Sequence, residues 1–230
     1  MNVAILSAII AGQMGFPVGR INLLVKSAIL HDIGALKLQQ LPDAEDLDDG
    51  TKEVVKKNTQ ETLDRYGDLD EEVLRLITQM QELYTRESDA EIPAALKESV
   101  NANILYVADA YDRMTAMKSF EEPTSEVKAV RELLADEERY NKKIVNALIH
   151  GISILYPGVC VELSNGEKGL VITENEDNIF EPTVLDFRNN NLYDLSDPSV
   201  KQTIEIADVM KTMDNRIKLD KSLLEEYQAN

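Results

Sequence analysis

The stretch Ser27-Ala28-Ile29-Leu30-His31-Asp32-Ile33-Gly34 ends an apolar run with an imidazole and a carboxylate side by side, where burial of either one alone would be costly. Such neighbours suit a divalent metal, because the imidazole gives a nitrogen donor and the carboxylate supplies anionic oxygens that bind or bridge ions. They also suit a hydrogen-bonded structural histidine beside a capping aspartate. A second candidate is Asp109, in the run Ile104-Leu-Tyr-Val-Ala-Asp-Ala-Tyr-Asp-Arg-Met-Thr115, where a carboxylate sits on an apolar helix face with Asp112 one turn later. A buried acid needs a cation or hydrogen-bond donors, so Asp109 is either a metal ligand or the partner of a nearby base such as Arg113.

The other polar candidates read as structural. His150 has no second histidine or acid four residues away to complete a metal pair, and its place near a helix end suits an interaction with the helix dipole. Met114 and Met117, three apart, read as core filler. Ser164-Asn-Gly-Glu-Lys-Gly169 has no following GK[ST] ending and no strand-to-helix change, so it reads as a hairpin turn and not as a phosphate loop.

Positioning these residues requires helices. Apolar residues recur at helical spacing from Asn2 to about His150. Val3, Leu6, Ile9 and Ile10 stripe a first helix that Gly15-Phe16-Pro17 ends, and Ile21, Leu24, Val25, Ala28 and Ile29 stripe a second that stops near Gly34. The acidic run from Pro42 to Gly50 reads as a surface loop, with Asp48 or Asp49 capping the next helix. Further helices are expected near 51–66, 69–84, 93–119, 125–136 and 139–154. After Tyr156-Pro157-Gly158 the period changes to two: Val159, Val161 and Leu163 alternate, and Leu170, Val171 and Ile172 resume after the turn. Pro182, Val184 and Asp186 continue in the same style, Asn189-Asn190-Asn191 marks another turn, and Asp220 to Tyr227 again looks helical. The expectation is a mainly α protein: a helical domain over 1–155 and a small β-rich subdomain over 156–230 that ends in a helix.

Composition narrows the function. Lys and Arg number 24 against 42 Asp and Glu, a net charge of −18 that repels phosphate backbones and anionic lipid at long range. Nucleic-acid polymers and membrane surfaces are therefore not expected partners. The apolar opening from Val3 to Ala11 is too short to span a bilayer and lacks a basic leader. The single cysteine, Cys160, can form neither an internal disulfide nor a thiolate cluster, which fits a reducing cytoplasm. With no Trp and few aromatic residues, the core must be built of Leu, Ile, Val, Ala and Met.

SAILHDIG at Ser27 to Gly34, the Leu-rich linker after it, the VADAYDRMTA helix from Val107 to Ala116 and the order of helices between them resemble the HD-GYP subgroup of the HD phosphohydrolase superfamily, over roughly residues 1–155. The resemblance implies an HD-superfamily helical bundle carrying two or three iron or manganese ions, and hydrolysis of cyclic di-GMP by metal-activated water. It implies metal ligation by His31, Asp32 and Asp109, and contact of Lys118 with substrate phosphate. It also implies a bacterial cytoplasmic origin and an upstream receiver or sensory domain.

The chain departs from the family at defined positions. The family's first histidine ligand would fall about one position before Met1, so a natural chain that begins earlier is one expectation. Asn58 stands where a second histidine belongs, Met80-Gln81-Glu82 replaces the HHE triplet, Glu91-Ile92-Pro93 replaces GYP, and Ala35 replaces the lysine after HDIG. Three remaining protein ligands can still support one metal with open positions. Asn58 and Gln81 offer only neutral oxygens, so a second ion that clamps both attacking and leaving oxygens has little cage left. The expected function is therefore a catalytically degenerate module of cyclic di-GMP-type signalling, acting by regulation or protein interaction. It would bind no metal or one weakly held Fe, Mn or Zn ion, with a signalling protein, a cyclic dinucleotide or a second copy of the chain as partners. The alternative is a metal-dependent phosphohydrolase with a reduced site on His31, Asp32 and Asp109. Asp43, Glu45, Glu61 and Glu82 are available as replacement ligands.

Overall fold

A computed structural model describes residues 2–38, 49–66, 69–86, 91–117, 122–175 and 177–210. The chain divides into a helical unit, drawn from Met1–Thr124 and Ala129–Ile152, and a sheet unit, drawn from Ser125–Lys128 and Ser153 onward. The acidic run at 42–48, Lys118 and the expected helix at 220–227 lie outside the described residues.

The helical unit is built around α6 (Val100–Thr115), in which every residue from Ala102 to Tyr111 is buried. A helix apolar on nearly all sides must be surrounded. It meets α1 (Asn2–Gln13), α2 (Val18–Leu30), α4 (Glu71–Tyr84), α5 (Ala94–Glu98) and α8 (Lys142–Ile152). Ile104, Leu105, Val107 and Ala108 are fully buried. Each of the larger ones contributes about 1.5–3 kcal/mol relative to exposure. α3 (Asp49–Arg65) joins α4 through a smaller cluster of Leu63, Val73 and Ile77, onto which Leu23, Leu30 and Ile33 pack. α7 (Glu126–Ala135) buries Val127, Val130 and Leu133.

Four sequence expectations need correction. The helix expected over 93–119 is broken at Ser99, whose ψ of 84° is not helical. Asn103 holds the break open: its side-chain amide donates to the carbonyls of Leu96 (2.8 Å), Lys97 (3.3 Å) and Ser99 (2.9 Å), satisfying groups that a continuous helix would have used. The second helix stops at Leu30 rather than near Gly34, and a 3-10 turn over Ile33–Lys37 follows. Met117 is 88% exposed beyond the end of α6, so it fills no core, while Met114 is half-buried. Ile29, placed on the inner stripe of α2, is 62% exposed.

The sheet unit follows the period-two reading. β1 (Cys160–Leu163), β2 (Lys168–Thr173), β3 (Thr183–Asp186) and β4 (Leu192–Asp194) form an antiparallel meander. After a short helix, α9 (Pro198–Lys201), β5 (Ile206–Val209) adds to the free side of β1, giving the order β4-β3-β2-β1-β5. SNGEKG is the β1–β2 turn, with Gly166 at φ +81°, a conformation costly for any residue with a Cβ. Val161, Leu163, Val171, Val184 and Leu185 form its apolar core.

Candidate metal centre

The end of α2 sets the histidine. His31 is the residue after the last helical turn, and its carbonyl, released from helix bonding, accepts from the Gln81 amide on α4 at 3.0 Å, with the Thr59 hydroxyl of α3 at 3.5 Å. The Gly34 amide donates to Thr59 Oγ1 at 3.1 Å. A Cβ at Gly34 would collide with the Val55 carbonyl and with Thr59, so only glycine lets the turn lie this close to α3. Asp32 begins the 3-10 turn without a side-chain capping bond, so the capping role open to it in the sequence is not used.

The imidazole is oriented by its own helix. Nδ1 lies 2.7 Å from the Ala28 carbonyl, which can only accept, so Nδ1 carries the proton and Nε2 faces the interior of the site. A ring nitrogen fixed this way is the usual posture of a metal-ligating histidine. Nε2 stands 3.0 Å from Asp32 Oδ2 and 3.5 Å from Asp109 Oδ1, yet it is buried and has no aligned hydrogen-bond partner. The ligand atoms of His31, Asp32 and Asp109 all lie within 4.8 Å of one another, and no other such group of His, Cys, Asp and Glu occurs among the described residues.

Charge balances unevenly across this cluster. Burial alone would push the His31 imidazole down, but the Asp109 and Asp32 carboxylates outweigh it and raise the ring to about 10. Asp32 is held low: its burial acts upward, and the His31 contact outweighs it. The Asp32 side chain is 66% exposed, so solvent screens part of this coupling. Asp109 is 8% exposed and spends its other oxygen, Oδ2, on Arg113 Nη2 at 3.0 Å. The Arg113 guanidinium lies over the Tyr84 ring, 4.1 Å from its centroid.

The remaining sequence candidates sit elsewhere. Gln81 points its amide at the His31 backbone, and Met80 is buried in the α4 core. Asn58 is half-buried on α3, where its backbone carbonyl accepts from the Thr62 hydroxyl at 2.6 Å. Glu61 faces Lys37 at 3.8 Å, Glu82 is not in the cluster, and Asp112 accepts from Asn2 at the surface. His150 is exposed in the last turn of α8. Asp43, Glu45 and Lys118 lie outside the described residues. Sequence reasoning missed Thr59 and Tyr84; the latter is one turn beyond Met80 on the same helix, and that spacing was its only signal.

Residues 1–114 match the family model of the HD domain. No curated protein matches the chain. The match takes in α1 through nearly all of α6 and both halves of the cluster, His31-Asp32 and Asp109. HD domains usually bind divalent metals, and this donor set fits one: one imidazole nitrogen and two carboxylates are the ligands that Mn, Fe and Zn accept. The oriented Nε2, facing the Asp32 and Asp109 carboxylates at 3.0 and 3.5 Å, is the geometry that suits a divalent ion in place of a ring proton. No helix among the described residues is long and apolar enough to cross a membrane.

Proposed function

We propose that this HD domain is a catalytically degenerate relative of the cyclic di-GMP phosphodiesterases, a bacterial signalling module that holds at most one divalent ion on His31, Asp32 and Asp109 and acts by regulation or protein interaction. The observation that carries the reading is the use of Gln81 and Met80. At two positions where the HD-GYP resemblance places imidazole ligands, Gln81 ties down the His31 carbonyl and Met80 fills the core, so neither is available to a second ion. Phosphodiester cleavage of the two-metal type needs ions on both the attacking and the leaving oxygen.

When bound, a divalent ion would supply Lewis-acid polarisation of a phosphoryl oxygen and a more acidic water. His31 would donate Nε2 to it, Asp32 its exposed carboxylate and Asp109 the oxygen not held by Arg113. Ala28 and Gln81 keep the ring and the turn in place. The oriented Nε2 supports a second reading, a one-ion phosphohydrolase acting on a smaller phosphorylated metabolite. One experiment separates the two: the protein is loaded with Mn or Fe and assayed against cyclic di-GMP and a set of phosphomonoesters, beside His31→Ala. The expected result is no turnover of cyclic di-GMP. Hydrolysis of it that disappears in His31→Ala would overturn the degenerate reading, and monoester hydrolysis lost in the same variant would establish the second.

A further inference from the structure

We infer that the cleft at the start of α2 is a binding site for a small phosphate ester, separate from the metal centre, with Arg20 and Lys26 taking the phosphate group. Arg20 precedes His31 by eleven residues, about 16 Å along the helix axis, so the two sites lie at opposite ends of α2.

α2 lends Gly19, Arg20, Leu23 and Lys26 to a cleft of about 520 Å³, a size that suits a small organic ligand. The starts of α4 and α6 complete it with Asp70, Glu72 and Asn101. The Arg20 guanidinium is fixed in advance: it lies over the Phe16 ring, 3.6 Å from the centroid, and its Nε donates to Asn101 Oδ1 at 2.7 Å. Both Nη nitrogens are left over, and these are the donors that grip a phosphate in bidentate fashion. Among the described residues no acid pairs with Arg20 or with exposed Lys26, although the chain has 42 acids for its 24 bases. Residues 2–31 contain no Asp or Glu at all, so this end of α2 is a basic island on an acidic molecule. The two acids of the cleft are already engaged. Asp70 caps α4 by accepting from the Glu72 amide at 2.9 Å, and Glu72 faces Arg75 at 3.3 Å. Their remaining oxygens can accept from hydroxyl groups, and half-buried Leu23 offers an apolar surface, so the body of the ester would be short and hydroxylated. The charge of the whole chain keeps a nucleic-acid backbone away, whereas a small ester is governed by the groups within a screening length of it.

The test is a titration of the full chain, treated with EDTA, with glycerol 3-phosphate and separately with inorganic phosphate, at constant ionic strength. Amide nitrogen–proton NMR spectra report the affinity and the place of binding. In wild type the Gly19 amide and the Asn101 side-chain amide should shift and saturate. Arg20→Gln removes the fork and should weaken binding about tenfold or more. Gly19→Asp keeps the test open should that variant fail to fold. Nothing lies within 4 Å of where its Cβ would sit, and an acid in the first turn of α2 suits the helix dipole. It should therefore melt no lower than wild type yet lose the ligand by repulsion. His31→Ala should bind as wild type does. Absence of saturable shifts in wild type, or binding that survives both Arg20→Gln and Gly19→Asp, overturns the inference. Loss in His31→Ala with the Arg20 variant unaffected overturns it too, by moving the phosphate to the metal centre. Tighter binding of the ester than of inorganic phosphate is expected, and equal affinities would overturn the assignment of an organic body to the cleft.

Discussion

A side chain at position 34 would have to occupy space already taken by the Val55 carbonyl and by the backbone and hydroxyl of Thr59, all anchored in α3. Backbone atoms in a helix cannot step aside as the tip of a flexible side chain can. Gly34→Ala is therefore expected to push the 3-10 turn away from α3, break the 3.1 Å bond from the Gly34 amide to Thr59, and cost about 1–3 kcal/mol as an overpacking substitution. Urea unfolding checks this through the midpoint at constant slope. A midpoint indistinguishable from wild type would mean that the turn is not packed on α3 as described. Because His31 and Asp32 lie three and two residues upstream, the same variant should also lose Mn binding, whereas a substitution at exposed Leu36 should not. At this scale the chemistry was readable from residue type: an imidazole and two carboxylates in apolar runs need a partner wherever they fold. The partners were less readable. Arg113 could be named from its spacing to Asp109, but the Gln81 bond to His31 joins residues fifty positions apart, and only the packing of α4 on α2 brings them together.

The elements were legible where one period ran unbroken, and obscured where a side chain overrode it. The apolar stripe through 93–119 continues across Ser99, so periodicity alone reads one helix; Asn103, by capturing three carbonyls, makes two. The change from period 3.6 to period 2 after Gly158 marked the sheet correctly, because alternation along β1 to β3 places Val161, Leu163, Val171 and Val184 on a buried face. Alternation also hid a feature of β3. Asp186 is fully buried at its end, with Oδ1 accepting from the Arg188 amide at 2.7 Å and Oδ2 without a donor. Burial raises its carboxyl, and the neighbouring Glu167 carboxylate raises it further, while Glu167 is lowered by its contact with Asp186. Both influences favour the protonated form of Asp186 and the charged form of Glu167. Arg188, on Glu167 Oε1 at 3.2 Å, and Tyr193 are the other polar groups around them. For an acid whose folded value is raised, the stabilisation is complete below its ordinary value of 3.8 and is lost as pH rises through the raised one. Asp186→Asn keeps an oxygen for the Arg188 amide and presents a permanent N–H to Glu167. Thermal melts of the full chain, begun near pH 4 and carried upward, should show wild type losing stability with rising pH relative to Asp186→Asn. Parallel profiles would show that the folded environment does not favour the protonated form of Asp186.

For the whole molecule the decisive quantity is charge, and it was legible without any structure. At −18 the chain repels itself, and the ion pairs that offset this are mostly exposed, such as Arg75 with Glu72 and Lys142 with Glu137. Exposed pairs of this kind contribute about 0–1 kcal/mol each, too little to compensate a field summed over the whole surface. The better-shielded Asp109–Arg113 pair depends little on salt. Two salt effects therefore compete with unequal weight: screening weakens a few surface attractions and weakens the general repulsion more. Raising NaCl from about 10 mM to about 300 mM contracts the screening length from about 30 Å to well under 10 Å, so the melting temperature should rise by a few degrees. KCl should act equally, since the effect is one of ionic strength, and metal-chelated protein should behave the same because the repulsion is spread beyond the centre. A melting temperature that falls with salt would place the stabilising electrostatics in local ion pairs. The same field acts on an approaching anion: any cyclic dinucleotide that binds should associate faster at 300 mM than at 10 mM salt, the reverse of the dependence shown by basic phosphate-binding surfaces.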